Sequence, residues 1–425
     1  EARCLRSAKM KFLKYFFVAL LSIVVTLIAV NQYVPVLIDV PKKDRLLVDF
    51  NFGKEITNKE LIPVERKAKN IILLIGDGMG SNQIVAYKIA KEGPNAITAF
   101  DMFPVSGLVK THAYNTVVTD SASSATAYSS GTKTINRYVG VDHEKNPVTN
   151  ITELLHKKAY VNSIIATSEI THATPAAFAV HTESRYNTDA IAEQIFYSNN
   201  YFVLGGGSDF FKPKEDGGLR EDGKDYLSKI KTDAILLETK NDLVNHRFKK
   251  GKKIFGLFNK EELIREAHEP SLKEMLDFAL VNSNSMLEQG CKGFFIMAEG
   301  SQIDWEGHDN DFYGQYDEME EFENAITSAL AFAKNRQDTL VLVTADHETG
   351  GLLIEKDTLR YKETNQMKVS WNTAIGKGDH TGAMVPIFAY GPGSANFTGI
   401  LDNTDIFFAM QEAIGIDDLP DGSCY

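Results

Sequence analysis

The stretch NIILLIGDGMG (residues 70–80) decides how this chain folds. Its first seven residues form a short apolar run that ends in glycine, the pattern of a β-strand buried on both faces of a sheet. The apolar residues of SNQIVAYKIAKEG (residues 81–93) have helical spacing, and the glycine predicts where that helix stops. The two segments together indicate a buried strand followed by a covering helix.

The same pattern recurs along the chain. Helical spacing is clear in DEMEEFENAITSALAFAKNR (residues 317–336), and further apolar runs alternate with such segments. This alternation indicates an α/β fold, a three-layer sandwich with a central, mostly parallel β-sheet flanked by helices. The other predicted strands are VNSIIATSE (161–169), YFVLGGG (201–207), KGFFIMAEG (292–300), TLVLVTADHETGG (339–351) and VPIFAYGPG (385–393).

The domain organisation follows from composition. Residues 1–9 precede the first plausible start methionine and are set aside as upstream sequence. Residues 10–30 carry two lysines ahead of a nearly unbroken apolar stretch, which predicts an export signal; because no clear small-residue cleavage site follows, an uncleaved membrane anchor stays open. Residues 31–68 are predicted to be a tether and entry segment. Residues 69–425 are predicted to form a single α/β domain, with a more charged inserted region at about 208–290.

The bulk composition excludes some classes of protein. A chain of 425 residues with 43% hydrophobic content can form a substantial core, and its net charge of -12 argues against a general nucleic-acid binder. Cys4, Cys291 and Cys424 are too few for a disulfide framework. A bridge between Cys291 and Cys424 could form in an oxidising compartment, but the apolar run beside Cys291 favours an unpaired buried thiol.

Polar residues collect where the predicted strands end, and the carboxyl ends of parallel strands are where open sheets bind ligands. Taken singly, such an aspartate is usually a helix cap or turn former, and such a histidine an ordinary hydrogen-bonded residue. The recurrence at several strand ends weakens that ordinary interpretation. The residues concerned are Asp77, His172, Thr174, Arg185, Glu299, Asp304, His308, Asp346, His347 and His380.

The residue types in this set point to metal ions. Asp304 with His308 and Asp346 with His347 combine carboxylate and imidazole, ligands that suit zinc. Asp304 and His308 are four residues apart, so on a helical turn both side chains face the same way. The remaining oxygen donors, Glu299 and Thr174 with the second oxygen of Asp77, are a harder set that prefers magnesium.

The segment TDSASSATAYSSG (residues 119–131) offers little to a hydrophobic core. It predicts a short helix that begins near Asp120 and Ser121 and stops at a glycine. A serine at a helix N-terminus gains from free backbone N–H groups that also attract an anion, so Ser121 is the candidate nucleophile. The alternative is that Asp120 or Ser121 merely caps the helix. Because no G-x-S-x-G motif is present, activation of Ser121 by metal is the better explanation.

Six motifs in this order resemble those of the alkaline phosphatase family. The resemblance runs from about residue 69 to residue 412. The motifs are GDGMG (76–80), VVTDSASSATAYSSG (117–131), THATPAAFAVHTESR (171–185), MAEGSQIDWEGHDND (297–311), VTADHETGG (343–351) and GDHTG (378–382).

The resemblance implies an enzyme that hydrolyses small phosphate monoesters with two zinc ions and one magnesium ion. It implies that Asp304, His308 and His380 hold the first zinc, and that Asp77, Asp346 and His347 hold the second beside Ser121. Magnesium would be held by Asp77, Thr174 and Glu299.

The resemblance also assigns roles around the substrate. Arg185 would clamp two phosphoryl oxygens with its planar guanidinium. His172 and Trp305 stand at positions that vary in the family, where some bacterial members carry aspartate and lysine, and they are expected to act on the third metal site and the phosphate indirectly. A homodimer is implied by the family alone.

Two other functions stay open at this point. A phosphodiesterase, phosphonate-cleaving enzyme or sulfatase can use the same metal-bearing sheet, although no C/S-x-P-x-R motif of a sulfatase is present. A non-catalytic surface protein could use the metals only to hold its fold, but a nucleophile and an arginine would then be without use. The predicted location is outside the cytoplasm, periplasmic or extracellular, with residues 10–30 as a signal or an anchor.

Overall fold

The fold is known from a computed structural model that describes residues 66–248, 251–355, 367–373 and 377–425, together with residues 21–22 and 38–39. The predicted signal or anchor and most of the predicted tether therefore lie outside the described residues. Within the described part, no helix combines the length and the apolar character that crossing a bilayer requires.

The strands of the described residues are β1 (Ile38–Asp39), β2 (Asn70–Gly76), β3 (Val105–Lys110), β4 (Tyr160–Glu169), β5 (Asn200–Gly206), β6 (Ile235–Leu237), β7 (Ile254–Leu257), β8 (Gly293–Gly300), β9 (Thr339–Thr344), β10 (Glu348–Thr349), β11 (Leu353–Glu355), β12 (Lys368–Ser370), β13 (His380–Thr381), β14 (Val385–Tyr390) and β15 (Gly399–Asp402). Ten of them form the core of the molecule, a sheet in the order β15-β3-β14-β9-β2-β8-β4-β5-β7-β6. This confirms the predicted α/β class with a mostly parallel central sheet.

Strand β2 lies in the middle of this sheet, as its sequence predicts. Every residue of β2 is buried, and so is every residue of its two parallel neighbours, β8 and β9. Ile72 is in register with Ile296 on one side and with Val341 on the other. Burial on both faces explains why these strands are continuous apolar runs without polar alternation.

Helices cover both faces of the sheet. They are α1 (Ser81–Glu92), α2 (Ser121–Ser130), α3 (Ile151–His156), α4 (Ala173–Ala177), α5 (Thr188–Tyr197), α6 (Tyr226–Asp233), α7 (Lys240–Asn245), α8 (Leu272–Glu288), α9 (Gln302–Asp309), α10 (Phe312–Arg336) and α11 (Asp405–Ile414). The longest, α10, begins after Asp311, whose side chain accepts hydrogen bonds from the N–H groups of Tyr313 and Gly314. It packs against α8, and α8 lies on β4 and β8.

The polar region at about 208–290 adds to one side of this sandwich. It contributes β7 and the edge strand β6 to the central sheet, and it ends with helix α8. Whether it is an insertion relative to other members of a family stays a prediction.

Strand β14 is the exception to the parallel order. It runs antiparallel both to β3 and to β9. Two small sheets complete the fold. One joins β1, β12 and β11, and the other is a two-residue ribbon in which Thr349 of β10 pairs with His380 of β13.

The expectation of an unpaired thiol at Cys291 is wrong, because the structure joins it to Cys424 in a disulfide. The C-terminal segment folds back onto the start of β4, where the N–H of Gly422 donates to the carbonyl of Lys157 at 2.8 Å. Lys158 and Asp421 form an ion pair at 2.9 Å. These contacts bring the last cysteine beside the start of β8, and both sulfur atoms are buried.

Candidate functional site

The predicted polar residues meet at the carboxyl end of the sheet. Asp77 directly follows β2, Glu299 lies near the end of β8, and Asp346 follows β9. Gly78 (φ 72°) makes the close approach of α9 feasible, because a Cβ atom there would lie 2.7 Å from the Cα atom of Asp304. The glycine-rich turn after β2 therefore brings Asp304 next to Asp77.

Helix α2 places Ser121 at this edge. Asp120 is the N-cap, and its side chain accepts a hydrogen bond from the N–H of Ser123 at 3.0 Å. Ser121 is thus the first helical residue and does not cap the helix. The hydroxyl of Ser124 donates to the carbonyl of Asp346 at 2.8 Å, and the hydroxyl of Tyr128 donates to that of Ala345 at 2.6 Å. Both bonds fix α2 against the end of β9.

The first group of ligand atoms comes from Asp304, His308 and His380. The Nδ1 of His308 donates to the carbonyl of Gly378 at 2.7 Å, and the Nδ1 of His380 donates to that of Thr119 at 2.9 Å. In the neutral ring this leaves a lone pair on each Nε2 atom. The two Nε2 atoms lie 3.2 Å apart, and that of His308 lies 3.3 Å from Asp304 Oδ2. Such a convergence of acceptors needs a proton or a cation between them.

The second group comes from Asp77, Asp346 and His347, all fully buried. The hydroxyl of Thr349 donates to Asp304 and therefore accepts a hydrogen bond from the Nδ1 of His347, at 3.2 Å. The Nε2 of His347 then carries the lone pair. It lies 3.3 Å from Ser121 Oγ, 3.3 Å from Asp77 Oδ1 and 3.2 Å from Asp346 Oδ2. One nitrogen facing three oxygens fits a shared cation better than a serine-to-histidine proton relay.

The third group contains Asp77, His172 and Glu299, and the buried hydroxyl of Thr174 lies beside Glu299. Both oxygens of Asp77, both oxygens of Glu299 and the hydroxyl of Thr174 have no hydrogen-bond partner among the residues that the structure describes. Burial raises the pKa of Glu299 to about 8. Burial, Asp346, Asp304 and Glu299 together raise the pKa of Asp77. Buried carboxylates that accept no hydrogen bond are costly unless a cation compensates them, so this group fits a cation site.

The charges of the first group are better balanced. A hydrogen bond that His308 donates to the carboxylate of Asp304 raises the pKa of His308 to about 9. Burial opposes ionisation of Asp304, but the imidazoles of His308, His347 and His380 hold its pKa below the usual range. Burial and the neighbouring His347 lower the pKa of His380 to about 4.

Arg185 points into the same space. Its Nη1 donates to Asp120 Oδ2 at 3.2 Å, and its Nη2 donates to His172 Nε2 at 2.9 Å. Burial and the guanidinium of Arg185 lower the pKa of His172 to about 3, so His172 is neutral and can accept this bond. The ring of Trp305 meets His172 edge-on, with 6.0 Å between the ring centroids. Arg185, His172 and Trp305 line a pocket of about 340 Å³ that Ser121, Asp304, His308 and His380 also border.

The structure thus places all the sequence-predicted site residues in one connected site. It also adds Thr349, which links Asp304 to His347, and Asp120, which holds Arg185. Asp120 was noticed in the sequence only as a helix cap. No sequence signal distinguishes the hydroxyl of Thr349 from those of other threonines.

Known proteins resemble this chain over most of its length. The family model described as alkaline phosphatase matches residues 68–370 and 354–416. Alkaline phosphatase 4 of Bacillus subtilis (strain 168) is 35% identical over 432 residues, which cover 83% of this chain and 91% of that protein. Alkaline phosphatase of Escherichia coli (strain K12) is 32% identical over 420 residues, covering 83% and 87%.

Solved structures agree with the fold. The alkaline phosphatase from the Antarctic bacterium TAB5 superposes with a TM-score of 0.74 at 36% identity, covering 83% of this chain and 99% of that one. A variant of the TAB5 enzyme in which a histidine is replaced by glutamate has magnesium bound in its M3 site; it superposes with a TM-score of 0.71 at 34% identity, covering 82% and 98%.

Proposed function

Because this chain belongs to the alkaline phosphatase family, we propose that it hydrolyses small phosphate monoesters through a phosphoserine formed on Ser121, at a site that holds two zinc ions and one magnesium ion. The single observation that carries the proposal is the position of His347 Nε2, between 3.2 and 3.3 Å from the oxygens of Ser121, Asp77 and Asp346. A serine hydroxyl amid metal-ligand atoms is the arrangement that metal-activated attack requires.

The donor sets support this choice of metals. The mixed sets Asp304, His308, His380 and Asp77, Asp346, His347 would each hold zinc. The oxygens of Asp77, Thr174 and Glu299 would hold magnesium, an ion that is bound by a variant of the TAB5 relative. When bound, such cations neutralise the buried carboxylates, favour the ionised serine oxygen and offset the charge of the phosphoryl group.

The chain's own residues position the reactants. Ser121 Oγ lies at the N-terminus of α2, where free backbone N–H groups face an incoming anion. Asp120 and His172 hold the two terminal nitrogens of Arg185, so its planar guanidinium is oriented before the substrate arrives. Arg185 can then donate to two phosphoryl oxygens at once. Positioning and charge stabilisation are the main requirements of phosphoryl transfer.

The reaction has two displacements at phosphorus. In the first, Ser121 Oγ loses its proton and forms a bond to phosphorus, while the bond from phosphorus to the alcohol oxygen breaks and that oxygen takes up a proton. In the second, a water molecule loses a proton as its oxygen attacks the phosphoserine, the bond from phosphorus to Ser121 Oγ breaks, Ser121 Oγ takes up a proton, and inorganic phosphate leaves.

The test is turnover combined with controlled metal loading. The protein should hydrolyse p-nitrophenyl phosphate faster than bis(p-nitrophenyl) phosphate, lose activity on chelation, and recover it fully only when zinc and magnesium are both added back. A preference for the diester would instead favour a phosphodiesterase. Absence of any turnover with all metals bound would favour a purely structural use of the metals.

Location and assembly are separate proposals. We propose that residues 10–30 direct the chain out of the cytoplasm, as a signal or as an anchor, and that the protein forms a homodimer. Fractionation of producing cells and sedimentation of the purified protein test these two statements independently of activity.

A further inference from the structure

The pocket has an outer wall that none of the catalytic steps uses. Glu169, the last residue of β4, lines this wall together with the rings of Tyr186 and Trp305. Tyr186 is 68% exposed, and the guanidinium of Arg137 lies over one face of its ring, 5.8 Å from the centroid, so a ligand can reach the rest of the ring. The wall therefore offers one carboxylate and two aromatic residues in the same pocket as Ser121.

Close packing holds Glu169 in this position. Gly207 (φ 97°) lies directly against it, because a Cβ atom there would be 2.9 Å from the Cβ atom of Glu169. The main chain beyond Glu169 is tied to β5, since the N–H of Ile170 donates to the carbonyl of Gly206 at 3.1 Å. The carboxylate thus lies on a firmly bonded strand end, which is the kind of support that a specificity residue needs.

Two more carboxylates lie nearby. The segment after β7 crosses the ends of β4 and β5, where the N–H of Leu263 donates to the carbonyl of Thr167 at 3.0 Å and that of Gly207 donates to the carbonyl of Asn259 at 3.1 Å. Burial raises the pKa of Glu169 most, and Glu262 and Glu261 raise it further, while a backbone hydrogen bond and the guanidinium of Arg185 lower it. None of the three glutamates forms an ion pair within the part of the chain that the structure describes, whereas Arg185 in the same pocket is bound by Asp120.

We propose that Glu169, with the rings of Tyr186 and Trp305, selects phosphate monoesters whose alcohol carries a positively charged ammonium group. An ammonium group is attracted both by a carboxylate and by the faces of aromatic rings. The same carboxylates disfavour alcohols that carry a second anionic group. This inference rests on the proposed function, because it assigns a substrate class to the same pocket.

The experiment uses two esters of the same shape, phosphocholine and 3,3-dimethylbutyl phosphate, which differ only in a cationic nitrogen replacing a neutral carbon. The two alcohols differ as leaving groups. The informative quantity is therefore the kcat/KM for phosphocholine divided by that for 3,3-dimethylbutyl phosphate, and this ratio is compared between protein variants. It is measured at alkaline pH, above the pKa of Glu169, which burial raises to about 7. The ratio should be about fivefold higher in the wild type than in Glu169→Gln.

The matched control is Glu288→Gln, an exposed glutamate at the end of α8, next to the start of β8 and hence at the opposite end of the sheet. It should leave the ratio unchanged. Higher salt should reduce the ratio in the wild type and in this control, but hardly in Glu169→Gln. Should Glu169→Gln fail to fold, Glu262→Gln takes its place, and it should lower the ratio of the two kcat/KM values by about twofold relative to the wild type.

The two proposals fail in different ways. If both esters are hydrolysed and the wild type and Glu169→Gln give equal ratios, the role of Glu169 is overturned and the proposed phosphatase function stands. Lack of hydrolysis of both esters by the metal-loaded wild type would overturn the proposed function, and the selection with it.

Discussion

Two parts of one site balance their charge in opposite ways. Around Asp304, imidazoles face the carboxylate and can take up protons, so buried charges of opposite sign neutralise one another. Around Glu299, buried carboxylates and a hydroxyl lie close together and form no hydrogen bond among the described residues. The first part can tolerate the absence of a cation, whereas the second can do so only by binding protons. A buried group of oxygens therefore depends on its cation more strongly than a mixed group does.

The largest expected effect concerns Ser121, which borders the imidazole-containing part. Replacing it with alanine should lower kcat by about 10³-fold or more, because among the described residues no other hydroxyl is hydrogen-bonded to His347 Nε2. The melting temperature should change little. The control is Ser130→Ala in the same helix, where the hydroxyl only donates to the carbonyl of Thr126. Turnover in Ser121→Ala at the level of this control would remove Ser121 from the mechanism.

The next effect concerns stability without metals. In chelator, Asp304→Asn should lower the free energy of unfolding by about 2 kcal/mol, because it removes the carboxylate that faces His308, His347 and His380. Urea denaturation of the metal-free wild type and variant measures the difference. An unchanged midpoint would mean that the imidazoles do not compensate Asp304.

Glu299→Gln should change the free energy of unfolding in the opposite direction under the same conditions. The carboxylate of Glu299 is buried and accepts no hydrogen bond among the described residues. Replacing it with a neutral amide should raise the free energy of unfolding by about 1 kcal/mol in chelator. The same variant should lose the increase in melting temperature that magnesium gives the wild type. Destabilisation in chelator would contradict the contrast between the two parts of the site.

The smallest effect comes from a charge pair outside the site, which shows how a compensated pair behaves where no metal is involved. His181 donates through Nε2 to Glu153 at 2.9 Å and through Nδ1 to the carbonyl of Gly140 at 2.6 Å. Burial opposes protonation of His181, but these two acceptors raise its pKa above the usual value. Between the ordinary pKa of about 6.5 and this raised pKa, the folded state holds more protons than the unfolded state.

The stability that His181 contributes is therefore fully present below about pH 6.5 and is lost as the pH rises through the raised pKa. The difference in unfolding free energy between the wild type and His181→Gln should shrink by less than about 1 kcal/mol between about pH 5.5 and pH 8.5. Denaturation at the two pH values checks this. A difference that grows with pH would show that His181 is neutral when folded.

The sequence predicted the central strands and the residues at their ends because both follow from local pattern. A run such as that of β2 is buried on both faces, and the carboxyl ends of parallel strands must share one edge, which brings Asp77, Glu299 and Asp346 together. The direction of β14 has no such signal. Its apolar run was predicted as a strand, but only its neighbours β3 and β9 show that it runs antiparallel.

Other features depend on contacts between distant parts of the chain. His380 reaches the site on a two-residue strand, which is too short for any periodicity to predict. The pairing of Cys291 depends on the C-terminal segment folding back, and an apolar neighbourhood fits a buried disulfide as well as a buried thiol. The role of Thr349 needs the tautomer of His347, which only the hydrogen-bond network reveals.

The wide spacing of the ligands has a consequence for synthesis of the protein. His380 lies on β13, which pairs with Glu348 and Thr349 of β10. Asp77 directly follows β2, much earlier in the chain. A growing polypeptide therefore lacks one of the three candidate ligands of the first group until the segment that carries His380 has left the ribosome. Chains that stop before His380 cannot assemble the first group of ligands, which the proposed hydrolysis requires.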